Sequence, residues 1–483
     1  MAAVSITKVD GGYPSAFPFD PDFAYPEYKG ESIATVSNPV YAAVRESFRC
    51  LGLDKENFGE KHWNPLGDII KPGNRIFIKP NLVTHEYRKS CTVTEDLYSV
   101  ITHPSVIRAV TDYAAIALKG KGEIVIGDNP SIDADFKKLS TITGLGQFEK
   151  LYRTQGVDCR VIDLRPQITE DLNYYGCKSK TVKQTGDPEG QSIINLGKHS
   201  FFFGMNPLFF RGVFTKRWET IKHHHGKIHE YSISNTILNS DTYISIPKLK
   251  SHKKVGATLN IKGLVGINAN KNFLVHWRIG FPKTGGDEFA PPRNIIDYIL
   301  VGLRHLMIDL LPDSLFYSLK RHFKGSPLEI LFEDTQCMSF AQHRGAWPGN
   351  DTCWRMAADL YNTFVKDLSG WRKKHNKKLR TFSVIDGVLA GEKNGPFCPS
   401  PKKARVVVAG QDLLLTDCVG ARLMDYNISE IKYLKDLLHD NGIKPESIQV
   451  KSEDFEVNNF FDSQKHYYLF QPPSNWNNLS LLN

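Results

Sequence analysis

The feature that most constrains the fold is a repeated alternation between short apolar runs and longer stretches with helical apolar spacing. Residues 75–80 (RIFIKP), 123–126 (EIVI) and 159–164 (CRVIDL) are such runs in the first half. Residues 242–246 (TYISI), 381–385 (TFSVI) and 405–408 (RVVV) repeat the pattern in the second. Continuous apolar runs of this length read as strands buried on both faces. Between them, residues 103–118 carry helical spacing, with Thr102 as the expected N-cap and Pro104 in the first turn. Residues 148–155, 234–239, 414–424 and 428–439 also read as helices. Strands alternating with helices predict an α/β fold: layered, mainly parallel sheets in Rossmann-like lobes.

The expected layout has five parts. Residues 1–68, rich in Pro, Tyr and Phe, form a wrapping segment with a helix over 40–51. Residues 69–269 form an α/β lobe, and 270–378 an insertion of helices and loops that caps it. Residues 379–445 complete the α/β part, and 446–483 form a tail. A chain of 483 residues that is 41% hydrophobic can bury a large core, and more than one domain is the default expectation.

In open α/β sheets, ligands bind beyond the carboxyl ends of the strands. Here those ends carry charged and amide groups in place of ordinary turn residues. Lys79 and Asn81 follow the first strand, and Asp128 the second. Lys248, Lys250, His252 and Lys254 follow TYISI, and Glu392 and Asn394 come after TFSVI. The segment 246–270 (IPKLKSHKKVGATLNIKGLVGINAN) is the richest, adding Thr258, Asn260 and Lys262. Lysines supply point charges, and Thr and Asn directional hydrogen bonds, which suits a phosphate or carboxylate. Crowded lysines depress one another's pKa, so a neutral lysine base or nucleophile is expected, with Lys250 the candidate. The interleaved aliphatic residues argue against a merely solvated loop. His252 and His276 are candidate acid–base groups. Asp128, Asp287, Glu288 and Glu392 are candidate ligands for a divalent metal ion. Arg355 can fork an anion, or pair with Asp351 one turn earlier. No GxxxxGK[ST] or GxGxxG pattern is present.

The net charge of +9 fits an anionic ligand but is not the density of a dedicated nucleic-acid binder. Eight cysteines lie far apart with no CxxC pair, so no iron–sulfur cluster is expected, and they read as reduced thiols. The opening MAAVSITKVDGGYP has no basic stretch leading into an apolar core, which predicts a cytoplasmic protein. Residues 295–311 (IIDYILVGLRHLMIDLL) are apolar but interrupted by charges. They read as an amphipathic helix, and their basic continuation to Lys324 offers a peripheral membrane contact. The run 223–229 (HHHGKIH) can direct at most two histidines to one site.

The combination of KPNLV (79–83), His103-Pro104, Gly127-Asp128, SIPKLKSHKKVGATLNIKGLVGIN (245–268) and DGVLAGEKNGP (386–396) resembles the family known as domain of unknown function 362. The resemblance spans roughly residues 75–424 and implies an α/β fold without a settled reaction. Some relatives carry ferredoxin-like cysteine motifs that this chain lacks. The family's usual Lys-Asn reads Lys262-Gly263 here. A looser likeness, of architecture only, is to nickel-pincer lactate racemases. The expected activity is that of an enzyme on an anionic small molecule, phosphorylated or carboxylated, working by group transfer or by proton abstraction and isomerisation. The alternatives are a membrane-surface protein handling a lipid-linked or polysaccharide precursor and, less favoured, a nucleic-acid binder. Assembly into an oligomer is left open.

Overall fold

The computed structural model describes residues 3–30, 32–87, 97–169, 181–212, 217–292, 294–331 and 344–481. The apolar runs form the strands of one large sheet. Its strands are β1 (Val4–Lys8), β2 (Arg75–Pro80), β3 (Glu123–Asp128), β4 (Asp158–Asp163), β5 (Thr242–Ile246), β6 (Lys248–His252), β7 (Arg380–Glu392), β8 (Val406–Gly410) and β9 (Val450–Lys451). Their order is β9-β1-β8-β7-β5-β2-β3-β4, in a sheet that has eleven strands among the described residues. From β7 to β4 every neighbour is parallel, while β8 runs antiparallel to both β7 and β1. The sheet is mainly parallel and mixed, as an α/β fold requires, and the two expected lobes share it.

Side chains alternate across the sheet with period two. Ile76, Ile78, Ile124 and Ile126 enter one apolar core, and Phe77 and Val125 enter the other. The first core is closed by α1 (Pro39–Leu51) and α2 (Pro104–Leu118). Of α2 only Ala115 is not buried, because the opening segment packs over its outer side. There Arg108, fully buried, pairs with Asp20 and Asp112, and Tyr113 donates to Glu27. The N-cap of α2 is His103, whose ring Nδ1 accepts from Ser105 N. Thr102, the expected cap, instead accepts from Asn81 N and donates to Ile246 O, tying the ends of β2 and β5.

Within the insertion, α3 (Ile295–Leu310) and α4 (Asp313–His322) make small cores of their own, while α5 (Cys353–Phe364) is buried end to end in the main core. The insertion is therefore only partly a cap. The flanking segments also join the sheet: β1 and β9 are its outer strands on one side.

The KLKSH sequence departs from a loop. It forms β6, buried at all five positions and paired with the far half of β7 after a register shift between Lys248 and Lys250. Residues 248, 250 and 252 would share one face of a regular strand. The shift instead lets Lys248 and Lys250 meet different surroundings.

Candidate functional site: a lysine-lined cavity

Strands β7, β5, β2 and β3 are adjacent and parallel, so their carboxyl ends form one row. A cavity of about 340 Å³ lies there, within the size range of small-molecule sites. Lys79 and Asn81 enter from β2, Asp128 and Asn129 from β3, Lys250 and His252 from β6, and Asn394 to Cys398 from the loop after β7. Thr258, Lys262, Gly266 and Lys271 come from the turns after β6, and His276, Trp277 and Arg344 from the insertion.

The cationic side chains differ in what holds them. Lys79 Nζ pairs with Asp128 Oδ1 at 2.8 Å. The same carboxylate accepts from Leu82 N and Asn129 N at 2.8 Å each, so its oxygens are engaged. A Cβ on Gly266 would stand 2.1 Å from Asp128 Oδ1 and 2.6 Å from Lys79 Cε, so only glycine lets the backbone pass. Lys250 is fully buried and, among the described residues, has no carboxylate partner; Nζ donates to Val100 O at 2.5 Å and Pro396 O at 3.0 Å. Burial, then repulsion from Lys248 and Lys262, drives its pKa well below the ordinary value. A neutral amine has two N–H groups; with both carbonyls satisfied, its lone pair is left over. Burial likewise lowers Lys262, brings Lys254 to about 8, and brings Lys271 to about 7. Lys254 Nζ lies over the Trp277 ring at 4.8 Å, and Lys271 donates to Asn129 O at 2.9 Å.

The two histidines are in opposite tautomers, assigned from their hydrogen bonds. His252 Nδ1 accepts from Lys254 N at 3.1 Å, so its proton is on Nε2. His276 Nδ1 donates to Leu274 O at 3.0 Å, so its Nε2 carries a lone pair. Burial, then the neighbouring lysines, holds both well below the ordinary histidine value. One ring thus offers a donor and the other an acceptor. Among the described residues, three buried polar atoms of the lining have no hydrogen-bond partner: Thr258 Oγ1, Asn129 Oδ1 and Trp277 Nε1. Just before the short helix Asn260–Gly263, Leu259 is held at φ 96°, a conformation that costs energy outside glycine and is typical of functional turns.

The cavity gathers most of the expected site: Lys79, Asn81, Lys250, His252, Lys254, Thr258, Lys262, His276, Asn394 and Asp128. Other expected residues lie elsewhere. Lys248 sits beneath the cavity, fully buried, 2.7 Å from both Asp386 Oδ2 and the Tyr13 hydroxyl. Asn260 donates to Asp417, and its amide oxygen accepts from Ser383. Arg355 takes its bland option, pairing with Asp351 at 2.9 Å.

The four carboxylates expected to share a metal do not converge. Asp287 accepts from Thr352 and from the backbone of Arg278 and Asp351, Glu288 pairs with His305 at 2.6 Å, and Glu392 pairs with Lys402 at 3.1 Å. Asp128 alone lines the cavity. Among the described residues, the one acidic cluster with metal-ligand spacing is Glu46, Cys50 and Glu453, where Arg49 binds both glutamates. In the His223–His229 run, His224 donates to Phe273 O at 2.7 Å, and His223 pairs with Glu230 at 2.7 Å. The reading of eight reduced thiols is corrected at the cavity, where Cys398 is disulfide-bonded. Cys91, Cys177 and Cys337 lie outside the described residues.

Sequence reasoning missed Lys271, Trp277 and Arg344. Lys271 follows the apolar turn GLVGI by four residues in a polar NANKN run, and that polarity was its available signal.

No curated protein matches the chain. The matched stretch below is shorter than the expected 75–424, leaving KPNLV, His103-Pro104 and Gly127-Asp128 outside it. Residues 203–422, which carry every lysine of the cavity except Lys79, match the family described as Domain of unknown function (DUF362).

Proposed function

We propose that the protein is an enzyme that binds a small polyanion, phosphorylated or carboxylated, in this cavity and moves a proton on it. One observation carries the reading. Among the described residues, six lysines line a single cavity with one carboxylate, and that carboxylate is already paired with Lys79. Burying these ammonium groups, and then crowding them with other cations, destabilises the empty protein unless an anion enters, in keeping with the lowered pKa values of Lys254 and Lys271. Lys254, Lys262 and Lys271 hold the anion, and the Thr258 hydroxyl and the Trp277 indole N–H supply its directional hydrogen bonds.

The histidine pair supports proton transfer. His276 Nε2 accepts a proton from a carbon or hydroxyl beside the anionic group, and His252 Nε2–H donates to the oxygen where charge develops. The bound anion offsets the repulsion from the lysines and so restores basicity to His276. Lys250, as a neutral amine, is a second base or a nucleophile. This chemistry is abstraction and isomerisation; group transfer to the Lys250 amine is the other use of the same groups.

Thermal denaturation in the presence of phosphate, pyrophosphate, citrate and phosphorylated sugars tests the binding. At about a hundredfold excess over Kd a ligand adds about 2.7 kcal/mol of stability. Pyrophosphate or citrate should raise Tm in the native chain and not in Lys254→Ala/Lys271→Ala. No shift with any polyanion, or an equal shift in the variant, overturns the site. Deuterium incorporation from heavy water into bound hydroxy acids or sugar phosphates, abolished by His276→Gln, tests the proton step.

A further inference from the structure

Helix α3 is built inside out. Its inward positions are Asp297, Val301, Arg304, His305 and Ile308, three of which are polar or charged. Its exposed aliphatic positions are Ile295, Ile296, Ile299, Leu303, Leu306 and Leu310, spaced three to four residues apart from Ile296 onward. Ile295 is 74% exposed and Leu310 66%. A helix bathed in water carries the reverse pattern. Leu315 of α4 and Leu328 beyond it extend the apolar surface, at 45% and 47% exposure. Isolated exposed aliphatics are ordinary on soluble proteins; a contiguous stripe of this length is not.

Two further observations say what covers it. The exposed stripe of α3 carries no charge, since Asp297 is buried and Asp309 pairs with Arg211 and Arg217. The next helix ends in Lys320, Arg321 and His322, with Lys324 just after it, and Arg321 and Lys324 are exposed. Exposed aliphatics beside a basic cluster match a lipid surface with anionic headgroups, where the aliphatic side chains enter the acyl boundary and the cations meet the phosphates. A second copy of the chain would supply apolar surface but, on the described residues of these two helices, no matching row of exposed acids. At sixteen residues α3 is about 24 Å long. Among the described residues no helix is long and apolar enough to cross a membrane, so such a helix lies in the interface.

We infer that the α3–α4 face seats the protein peripherally on an anionic lipid bilayer. The seat is joined firmly to the cavity wall. His305 pairs with Glu288, whose backbone N–H donates to Arg278 O, and Asp309 pairs with Arg211, which lies opposite Trp277 in a two-stranded ladder. Membrane docking therefore fixes the orientation of the strand that follows His276. The inference does not rest on the chemistry proposed for the cavity.

Flotation of the full chain with vesicles tests it. Phosphatidylcholine vesicles containing phosphatidylserine should carry the protein upward, and pure phosphatidylcholine vesicles should carry less. Ile299→Glu/Leu306→Glu and Lys320→Glu/Arg321→Glu change exposed or partly exposed positions only. Each should abolish flotation while leaving circular dichroism, Tm and the polyanion-induced shift unchanged. Absence of flotation overturns the inference, as does flotation that both variants retain. So does a dimer in sedimentation that Ile299→Glu/Leu306→Glu dissociates while vesicles carry no protein, because the face then pairs with a second copy. Loss of the polyanion shift in the native chain would count against the cavity reading alone.

Discussion

Lys79 and Asp128 form a buried ion pair 2.8 Å long at the adjoining ends of two parallel strands, and the backbone of Gly266 lies against it. The pair closes the floor of the cavity, so it serves stability and binding together. Gly266→Ala should force the pair apart, because neither β2 nor β3 can retreat within the sheet. The expected cost is about 1–3 kcal/mol, the usual range for overpacking. Asp128→Asn removes the charge without adding volume. It should cost roughly 3 kcal/mol, since it leaves Lys79 uncompensated among other cations. Urea denaturation gives both values; a Gly266→Ala protein as stable as the native chain would contradict the packing described.

The buried lysines divide into two kinds that mutagenesis should separate. Lys248 meets Asp386 with both side chains fully buried, and Asp386 also accepts from Tyr13 and from His103 N. Lys248→Met strands that carboxylate and should destabilise the fold by about 3–5 kcal/mol. Among the described residues Lys271 makes no ion pair: it donates to Asn129 O, feels both Asp128 and the cations Arg165, Lys79 and Lys262, and burial holds its pKa near 7. Lys271→Met should leave stability unchanged or raise it, and should weaken polyanion binding by about tenfold, the equivalent of about 1.4 kcal/mol. Calorimetric titration with pyrophosphate, beside urea curves for both variants, separates the two roles.

This division marks the limit of what the sequence made legible. The strands were readable because each is a short apolar run, and the row of charged strand ends followed from their parallel order. The choice among lysines was not readable. Lys248 and Lys250 are two residues apart, yet a register shift at β7 gives one a carboxylate and the other only carbonyls. The acids that would have exposed the difference, Asp386 and Asp417, are distant in sequence and spent on Lys248 and Asn260. The shared metal site failed for the same reason: each of Asp287, Glu288 and Glu392 is satisfied by a neighbour that only the tertiary fold supplies.

The depressed lysines give the stability of the empty protein a defined pH dependence. Lys271 titrates near 7 and Lys254 near 8 when folded, against 10.5 for an ordinary lysine. Between pH 7 and the ordinary lysine value, the unfolded chain therefore binds more protons than the folded one, and stability should rise with pH. Polyanion affinity should move the opposite way, falling as these two groups lose their charge. Tm measured from pH 6.5 to 9 with and without pyrophosphate should show the two curves converging as pH increases. Parallel curves would mean that neither lysine changes charge in that range.

The histidine tautomers are directly observable. Burial and the surrounding lysines keep His252 and His276 below the ordinary value of 6.5, so both rings should remain neutral at pH 6 in the empty protein. Long-range nitrogen–proton NMR spectra should show His252 protonated on Nε2 and His276 on Nδ1, as their bonds to Lys254 N and Leu274 O require. The unfolded chain takes up these protons near pH 6.5 while the folded chain does not. Stability should therefore fall as pH drops below about 6.5. Pyrophosphate screens the lysines, so it should raise the pKa of His276 and lessen that acid loss. His276→Asn should remove its share of the pH dependence. A His276 ring found protonated on Nε2 would remove the proton acceptor on which the proposed chemistry depends.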